Sequence, residues 1–207
     1  GPPGPAGTFA SIEGLGGLAC RDADGSSGTV AVETEIDGAI LLTCESDGPP
    51  PPAGAAKVVV NEIDYDQVGA DSGGFVELAN AGDAAADLSG WALVLVDGAD
   101  GQEYLRKPLS GTLAPGAYLV VAADAQNGAP DGVVLLDAAG AQVDALSYEG
   151  AIPDLVEGTP LPADVADSNA VAGSLSRLPD GKDTGDAAAD WAFTTIVTPG
   201  AANAAGS

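Results

Sequence analysis

Nine short apolar runs, separated by clusters of Gly, Pro, Asn and Asp, fill the chain from Lys57 to Thr195. None of them keeps the 3.6-residue period of an amphipathic helix, and their lengths are typical of β-strands. One long gap, between Tyr148 and Ser174, interrupts their short spacing. The pattern predicts an all-β sandwich, and about 150 residues are enough for such a domain to bury its own core. The predicted strands are residues 57–63, 75–78, 91–96, 104–109, 118–122, 133–136, 142–148, 174–178 and 191–195.

A proline-rich segment precedes these runs. Four consecutive prolines at residues 49–52 are followed by Ala and Gly up to residue 56. Such a segment buries no side chains and continues neither a helix nor a strand, so it is typical of a semi-rigid spacer. We therefore expect a small module at residues 8–47, a linker at 48–56 and the sandwich at 57–205.

The small module contains a predicted β-hairpin. Residues 29–36 and 39–44 flank Asp37 and Gly38, a dipeptide that is favoured in two-residue hairpin turns. The glycine-rich stretch of residues 9–18 precedes the hairpin and predicts a short helical turn, from apolar residues three apart. Because an isolated hairpin is marginally stable in water, we expect the module to need a further constraint.

Cys20 and Cys44, the only cysteines of the chain, are the expected constraint. A disulfide between them would close a loop of about 25 residues and contribute about 3 kcal/mol. Two reduced, buried thiols are the alternative interpretation, whereas a metal site would lack further Cys or His ligands. The disulfide interpretation implies an oxidising compartment, so we expect an extracellular or cell-surface location.

The first seven residues have a composition of their own. Their sequence, Gly-Pro-Pro-Gly-Pro-Ala-Gly, is interpreted either as a stub of collagen-type triplets or as the remnant of a protease cleavage site. No apolar stretch reaches 18 residues, no signal sequence is recognisable and Met is absent. We therefore expect a processed piece of a longer protein, without membrane insertion.

The charge balance argues against several classes of function. Six Lys and Arg against 31 Asp and Glu give a net charge of −25, which repels phosphate backbones and anionic lipid headgroups. We therefore expect no nucleic-acid partner. The chain has no His, so it lacks the usual general base and the commonest zinc ligand. It also has no Gly-x-Ser-x-Gly elbow or phosphate-binding loop, and we expect that it is not an enzyme.

Short motifs of the second module follow one another in an order that is typical of a known family. They are Val60-Asn-Glu-Ile63, Phe75-Val-Glu-Leu78, Asp87-Leu-Ser-Gly-Trp91, Leu113-Ala-Pro-Gly116, Leu136-Asp-Ala-Ala-Gly140, Ser174-Leu-Ser-Arg177 and Thr198-Pro-Gly200 with Asn203. In these motifs, residues 57–203 resemble the lamin-tail domain of secreted and surface proteins of prokaryotes. The resemblance implies an immunoglobulin-like β-sandwich that serves as an interaction module without an established catalytic activity. It does not extend to the first 56 residues.

Two of these motifs have a structural role that is readable from their residues alone. Residues 88–91 predict a turn that leads Trp91 into the aliphatic core, and Pro115-Gly116 predicts a turn before the strand at 118–122. Trp191 is expected in the core as well. Stacking of either tryptophan on a sugar is the alternative interpretation.

Carboxylates are densest between residues 61 and 77. Glu62 shares a strand face with Val60, and Glu77 shares one with Phe75, so we expect both glutamates to point toward the apolar layer. A buried carboxylate needs a partner, and the preferred candidate is a structural ion pair with Arg177. Two other interpretations stay open, a solvated loop and a calcium site. The calcium ligands would be Glu62, Asp64, Asp66, Asp71 and Glu77.

Other polar residues give weaker indications of a site. The acidic stretches at 22–26 and 180–186 are more typical of tight turns than of calcium loops, because the first lacks a closing glutamate and the second contains Lys182. Glu62 with Glu77 resembles the paired carboxylates of glycosidases, and Ser147 and Ser174 are hydroxyls, but no base accompanies them. No catalytic residue is therefore assigned, and no cofactor other than calcium is considered.

Two functions are consistent with these observations. The first is a non-catalytic extracellular interaction or adhesion module of a larger secreted or surface protein, with a protein or glycan at the cell surface as its partner. The second is a structural subunit or trimeric tip of a filament or collagen-like stalk, if the residues 1–7 are the end of a triple helix.

Overall fold

The computed structural model describes residues 12–21, 27–34, 38–46, 54–70, 72–128 and 130–206 of the chain. It divides into two compact units, Gly1–Ala53 and Gly54–Ser207. The first seven residues lie outside the described part, so the collagen-like interpretation stays a prediction. In the described part, no helix has the length and apolar character to cross a membrane.

The first unit contains a three-stranded antiparallel sheet. A short 3-10 helix, Ile12–Leu15, precedes β1 (Ala19–Arg21), β2 (Ser27–Thr34) and β3 (Ile40–Ser46), which lie in the order β1-β2-β3. The predicted hairpin is β2 with β3, and the last paired residues are Thr34 and Ile40. Residues 35–37, which include Asp37 of the predicted turn, lie outside the described part of the chain, so the two-residue turn stays a prediction.

A disulfide between Cys20 and Cys44 joins the two outer strands of this sheet. Cys20 pairs in register with Gly28 of β2, and Cys44 pairs with Val30, so both cysteines lie on the same face. Gly28 has no side chain, which leaves room for the bridge to cross the central strand. The predicted disulfide is confirmed, and it constrains β1 against the hairpin.

In its described residues, the second unit has eleven strands and one short helix. They are β4 (Val58–Asp64), β5 (Phe75–Asn80), β6 (Ala86–Asp87), β7 (Ala92–Asp97), β8 (Gln102–Pro108), β9 (Thr112–Leu113), β10 (Tyr118–Ala122), β11 (Asp131–Leu136), β12 (Gln142–Tyr148), β13 (Ser174–Arg177), α1 (Ala187–Asp190) and β14 (Trp191–Thr194). Each of the nine predicted strands has a counterpart, with ends that differ by a few residues. The two-residue strands β6 and β9 and the helix α1 were not predicted.

These strands form two antiparallel sheets and one short strand pair. The five-stranded sheet has the order β10-β5-β4-β13-β14, the four-stranded sheet has the order β12-β11-β7-β8, and β6 pairs with β9. The predicted fold class is confirmed as an all-β, immunoglobulin-like sandwich. β12 of one sheet lies in contact with β4 of the other, and this crossing positions the polar groups described below.

The core between the sheets is almost entirely aliphatic. Its buried members include Val60, Ile63, Leu78, Leu95 and Leu146, each with at most 1 % of its surface exposed. Trp191 is buried within this core, whereas Trp91 is half-buried and packs against it.

The two turns predicted before strands are present. Gly90 has a φ of +80°, and the Trp91 amide donates to the Leu88 carbonyl at 3.0 Å. Gly116 has a φ of +68°, and the amide of the residue after it closes a second turn before β10. Glycine adopts this left-handed conformation without a steric cost, which explains its place in both turns.

Candidate functional site

Arg177 of β13 and Asp144 of β12 lie at the centre of a buried polar cluster between the two sheets. The Nη2 atom of Arg177 donates to both carboxylate oxygens of Asp144, at 2.8 and 3.0 Å. Neither side chain has more than 2 % of its surface exposed. A two-point pair of this kind fixes both the distance and the orientation of its partners. It therefore ties the five-stranded sheet to the four-stranded sheet.

A β-bulge in β4 supplies further partners for this ion pair. The register of β4 with β5 shifts between Val60 and Glu62. At this place the Val60 amide donates to Asp144 Oδ2 at 2.6 Å, and the Val60 carbonyl accepts from Arg177 Nε at 2.7 Å. Bulges leave backbone groups unpaired within a sheet, and here the two ionised side chains satisfy them.

The outer side of the Arg177 guanidinium contacts the segment around α1. Nη1 donates to the Lys182 carbonyl at 3.0 Å and lies 3.4 Å from Asp190 Oδ2. The guanidinium carbon lies 4.9 Å from the centre of the Trp191 ring, a cation–π distance. Asp190 also accepts from the amide and the hydroxyl of Thr184. Each of the three guanidinium nitrogens therefore has a hydrogen-bond acceptor.

The expectation that Arg177 forms an ion pair with Glu62 or Glu77 is wrong. In the described part of the chain, the ion pairs of Arg177 are with Asp144, Glu157, Asp183 and Asp190. The physical reason is the crossing of β12 over β4, which brings Asp144 beneath the guanidinium. The two glutamates are instead satisfied by hydrogen bonds from uncharged groups.

Glu62 is fully buried and accepts hydrogen bonds from two segments. Its Oε1 accepts from the Ser174 hydroxyl at 2.6 Å and from the Thr198 amide at 3.0 Å. Its Oε2 accepts from the Thr198 hydroxyl at 3.0 Å. Glu62 therefore anchors the start of the C-terminal segment to the middle of the sheet.

Glu77, its neighbour across β4 and β5, has a similar role. The Gly200 amide donates to Glu77 Oε2 at 2.6 Å, and the Asn61 side chain donates to Oε1 at 3.1 Å. Burial raises the pKa of Glu77 to about 7, against the effect of these hydrogen bonds, and the nearby carboxylate of Glu62 raises it further. Glu77 is therefore about half protonated at neutral pH.

Asn203 completes the attachment of the C-terminal segment. Its side-chain amide donates to the Asn61 carbonyl at 2.8 Å and to the Arg177 carbonyl at 3.1 Å. Its side-chain oxygen lies 3.0 Å from the Thr198 hydroxyl oxygen, and its backbone amide donates to Asp180 at 2.8 Å. We call residues 198–203, together with these partners, the C-terminal clasp.

The structure does not bring the proposed calcium ligands together as a metal site. Glu62 and Glu77 are engaged in the clasp, and Asp64 accepts from the Gln67 side chain at 2.8 Å. Asp66 is half-buried, and Asp71 lies outside the described residues. Among the residues that the structure describes, no group of three or more Asp, Glu, Cys or His side chains has the arrangement of a metal site. Calcium binding stays a prediction.

The other acidic stretches have different outcomes. Residues 22–26 lie outside the described part of the chain. In the stretch 180–186, Asp180 accepts from the Tyr118 hydroxyl at 2.6 Å, and Asp186 caps α1 by accepting from the Ala189 amide at 3.3 Å. These contacts are those of a structural turn.

Neither candidate nucleophilic hydroxyl is open to solvent. Ser174 has no exposed surface and donates to Glu62. Ser147 is 3 % exposed, and its hydroxyl bonds to the backbone of residues 150 and 152. Both hydroxyls therefore serve the packing of their own strands and the following loop.

Sequence reasoning missed Asp144 and Asn203 as members of the cluster. Asp144 shares a strand face with Leu146 and Tyr148, both fully buried, so the argument used for Glu62 applies to it equally. Asn203 gave no comparable signal, because it lies outside any strand and its role depends on where the chain end returns.

The comparisons with known proteins agree with this architecture. The family model described as the lamin tail domain matches residues 51–150, which include all strands from β4 to β12. The comparison with curated proteins finds no similar sequence. Beyond the matched residues, β13 and β14 complete the five-stranded sheet. The predicted resemblance is confirmed for residues 51–150, which match the lamin tail domain, and the fold is immunoglobulin-like.

Proposed function

We propose that this chain is a non-catalytic extracellular interaction module of a larger secreted or cell-surface protein. The observation that carries the proposal is the burial and hydrogen bonding of Glu62 and Glu77. Glu62 and Glu77 have no exposed surface, and both accept hydrogen bonds from the C-terminal clasp. Catalytic carboxylates must reach a substrate, whereas these two hold the end of the chain in place.

The disulfide supports the extracellular part of the proposal. Disulfides persist in oxidising compartments and are rare in the cytosol, and the bridge between Cys20 and Cys44 joins two strands that otherwise have little core. In the first unit, no large apolar side chain that the structure describes is fully buried. Such a sheet depends on a covalent constraint.

The surface of the first unit supports an interaction role. Ile40, Leu41 and Leu42 follow one another on the edge strand β3 and are each more than 40 % exposed. Ile40 and Leu42 share one face of the strand, and exposed aliphatic side chains that lie together are typical of interaction surfaces. The net charge of −25 favours partners that are not polyanions, such as a protein or a neutral glycan at a cell surface.

The proposal is tested with the purified full chain in two assays. The first measures its binding to arrayed surface proteins and glycans, and the second screens it against ester, phosphoester and glycoside substrates. We expect saturable binding to a defined surface component and no turnover. Turnover that disappears in Glu77→Gln, with the fold retained, would contradict the non-catalytic part. Absence of binding to every arrayed component would contradict the interaction part.

A further inference from the structure

A groove lies beside the edge strand β12 of the lamin tail domain. Its volume is about 390 Å³. Val58 of β4, Val143 of β12 and the side chain of Trp91 give it an apolar surface. Val143 is 41 % exposed, although it belongs to a strand whose later residues are buried. The groove therefore presents apolar surface to solvent at a place where the two sheets meet.

Among the charged side chains that line this groove, negative charges outnumber positive ones. Lys57 lies 3.2 Å from Asp183 through its Nζ atom, so these two charges neutralise each other. Asp87 accepts a hydrogen bond from the Ser89 amide at 2.9 Å, and in the described part of the chain it forms no ion pair with Lys or Arg. The hydrogen bonds from Ser89 hold the pKa of Asp87 below its usual range. One negative charge therefore stays without a counter-charge in the groove.

Trp91 adds an aromatic surface next to this charge. The ring packs against the core on one side and lines the groove on the other. Unlike Trp191, which is 4 % exposed and already contacts the Arg177 guanidinium, Trp91 contacts no cation in the described part of the chain. Of the aromatic side chains, tryptophan attracts a cation most strongly.

We propose that this groove binds a lysine or arginine side chain of a partner protein. The aliphatic stem of that side chain packs on the exposed Val143, and its charged head lies between Asp87 and Trp91. Long basic side chains combine an apolar stem with a charged end in this way. The inference deepens the proposed interaction function and rests on it.

The charge of the whole chain favours the same occupant. A net charge of −25 attracts cations over distances longer than the groove itself and speeds their association, an effect that salt reduces. An anionic ligand would meet repulsion from the whole surface and from Asp87. A neutral sugar would gain nothing from the field. Among these ligands, only a basic side chain can contact the apolar surface of the groove, the Trp91 ring and the Asp87 carboxylate together.

The test is a calorimetric titration of the full chain with three defined probes. They are a capped peptide of alternating Arg and Gly, a matched peptide of alternating Glu and Gly, and a neutral tetrasaccharide. We expect the Arg peptide alone to bind, with an affinity that falls as the salt concentration rises. We also expect Asp87→Asn and Trp91→Leu each to weaken binding about three- to tenfold. Asp87→Asn keeps the side-chain size and Trp91→Leu keeps an apolar side chain, and circular dichroism checks the fold of both variants.

The matched control is Asp124→Asn. Asp124 is exposed, it does not line the groove, and its replacement changes the net charge by the same single unit. We expect its affinity for the Arg peptide to stay within twofold of the wild type. Equal affinities for Asp87→Asn, Trp91→Leu and Asp124→Asn would show diffuse attraction by the surface and would overturn the inference.

Two further results would overturn the groove assignment without touching the proposed function. One is binding of the tetrasaccharide in place of the Arg peptide. The other is no binding of any probe by a chain that still binds a component of the surface array. If the wild-type chain binds no component of the surface array, in contrast, the proposed function itself is contradicted.

Discussion

Arg177 and Asp144 join the two sheets of the sandwich through two hydrogen bonds of 2.8 and 3.0 Å, with both side chains withdrawn from solvent. Buried charges of this kind are costly unless they are paired and fully hydrogen-bonded. Here the Val60 amide and carbonyl complete the set of partners. The pair therefore specifies how β12 crosses β4. Among the described residues, Arg177 is the one cation that pairs with Asp144, so removal of Arg177 leaves the Asp144 carboxyl buried without a counter-charge.

The stability of the domain is expected to fall between about pH 6 and pH 8. The pKa of Glu77 is raised by burial to about 7 in the folded state, above its ordinary value of 4.5. The folded state thus binds a proton that the unfolded state has already released, and this stabilisation is lost as the pH rises through 7. For one such carboxyl group, the free energy of unfolding falls by about 1 kcal/mol between pH 6 and pH 8.

Urea denaturation at about pH 6 and pH 8, at constant ionic strength, checks this prediction. In Glu77→Gln the pH-dependent loss should be smaller by about 1 kcal/mol. It should not vanish, because burial also raises the pKa of Glu157 to about 7. Stability that rises with pH in the wild type, or an unchanged slope in Glu77→Gln, would contradict the assignment.

Asn203→Ala is expected to destabilise the domain by about 1–3 kcal/mol. The side-chain amide of Asn203 donates to the carbonyls of Asn61 and Arg177, and its loss removes both hydrogen bonds. Asn127→Ala is the matched control, because Asn127 is exposed and makes no described hydrogen bond. Thermal unfolding of both variants compares them directly. Equal melting temperatures of Asn203→Ala and Asn127→Ala would show that the C-terminal clasp does not stabilise the domain.

Reduction of the disulfide is expected to loosen the first unit. The bridge closes a loop with a sequence separation of 24 residues, so its loss costs about 3 kcal/mol. Amide hydrogen exchange of β1, β2 and β3 should therefore be about a hundredfold faster after reduction. A double variant, Cys20→Ser with Cys44→Ser, should show the fast exchange without reductant and no response to it. Unchanged protection after reduction would mean that other contacts hold the sheet.

The fold was predictable because its signals are local. Short apolar runs and turn residues mark nine strands of the second unit, and Gly90 and Gly116 mark turns by their backbone conformation. The strands β6 and β9 have two residues each, too few for a periodic pattern, and α1 has four.

The partners within the polar cluster were less predictable. Alternation along β4 and β5 shows that Glu62 and Glu77 face inward, but the partner of a buried charge depends on how the sheets stack. That stacking places Asp144 under Arg177 and returns Thr198 to Glu62. Neither relationship is encoded within a short stretch of sequence, since 33 and 136 residues separate the members.

The most direct test of this account is a double-mutant cycle on Arg177→Gln and Asp144→Asn, measured by urea denaturation. In this account, the Arg177–Asp144 pair stabilises the packing of the two sheets. We expect each single variant to lose about 3–5 kcal/mol, and a coupling energy of about 2–3 kcal/mol between them. If Arg177→Gln does not fold, Arg177→Lys takes its place in the cycle.

The exposed pair Glu103 and Arg106 is the control cycle in the same fold, and its coupling should stay below about 1 kcal/mol. A coupling for Arg177 and Asp144 clearly above that of the surface pair is the result the account predicts. A coupling no larger than that of the surface pair would contradict it.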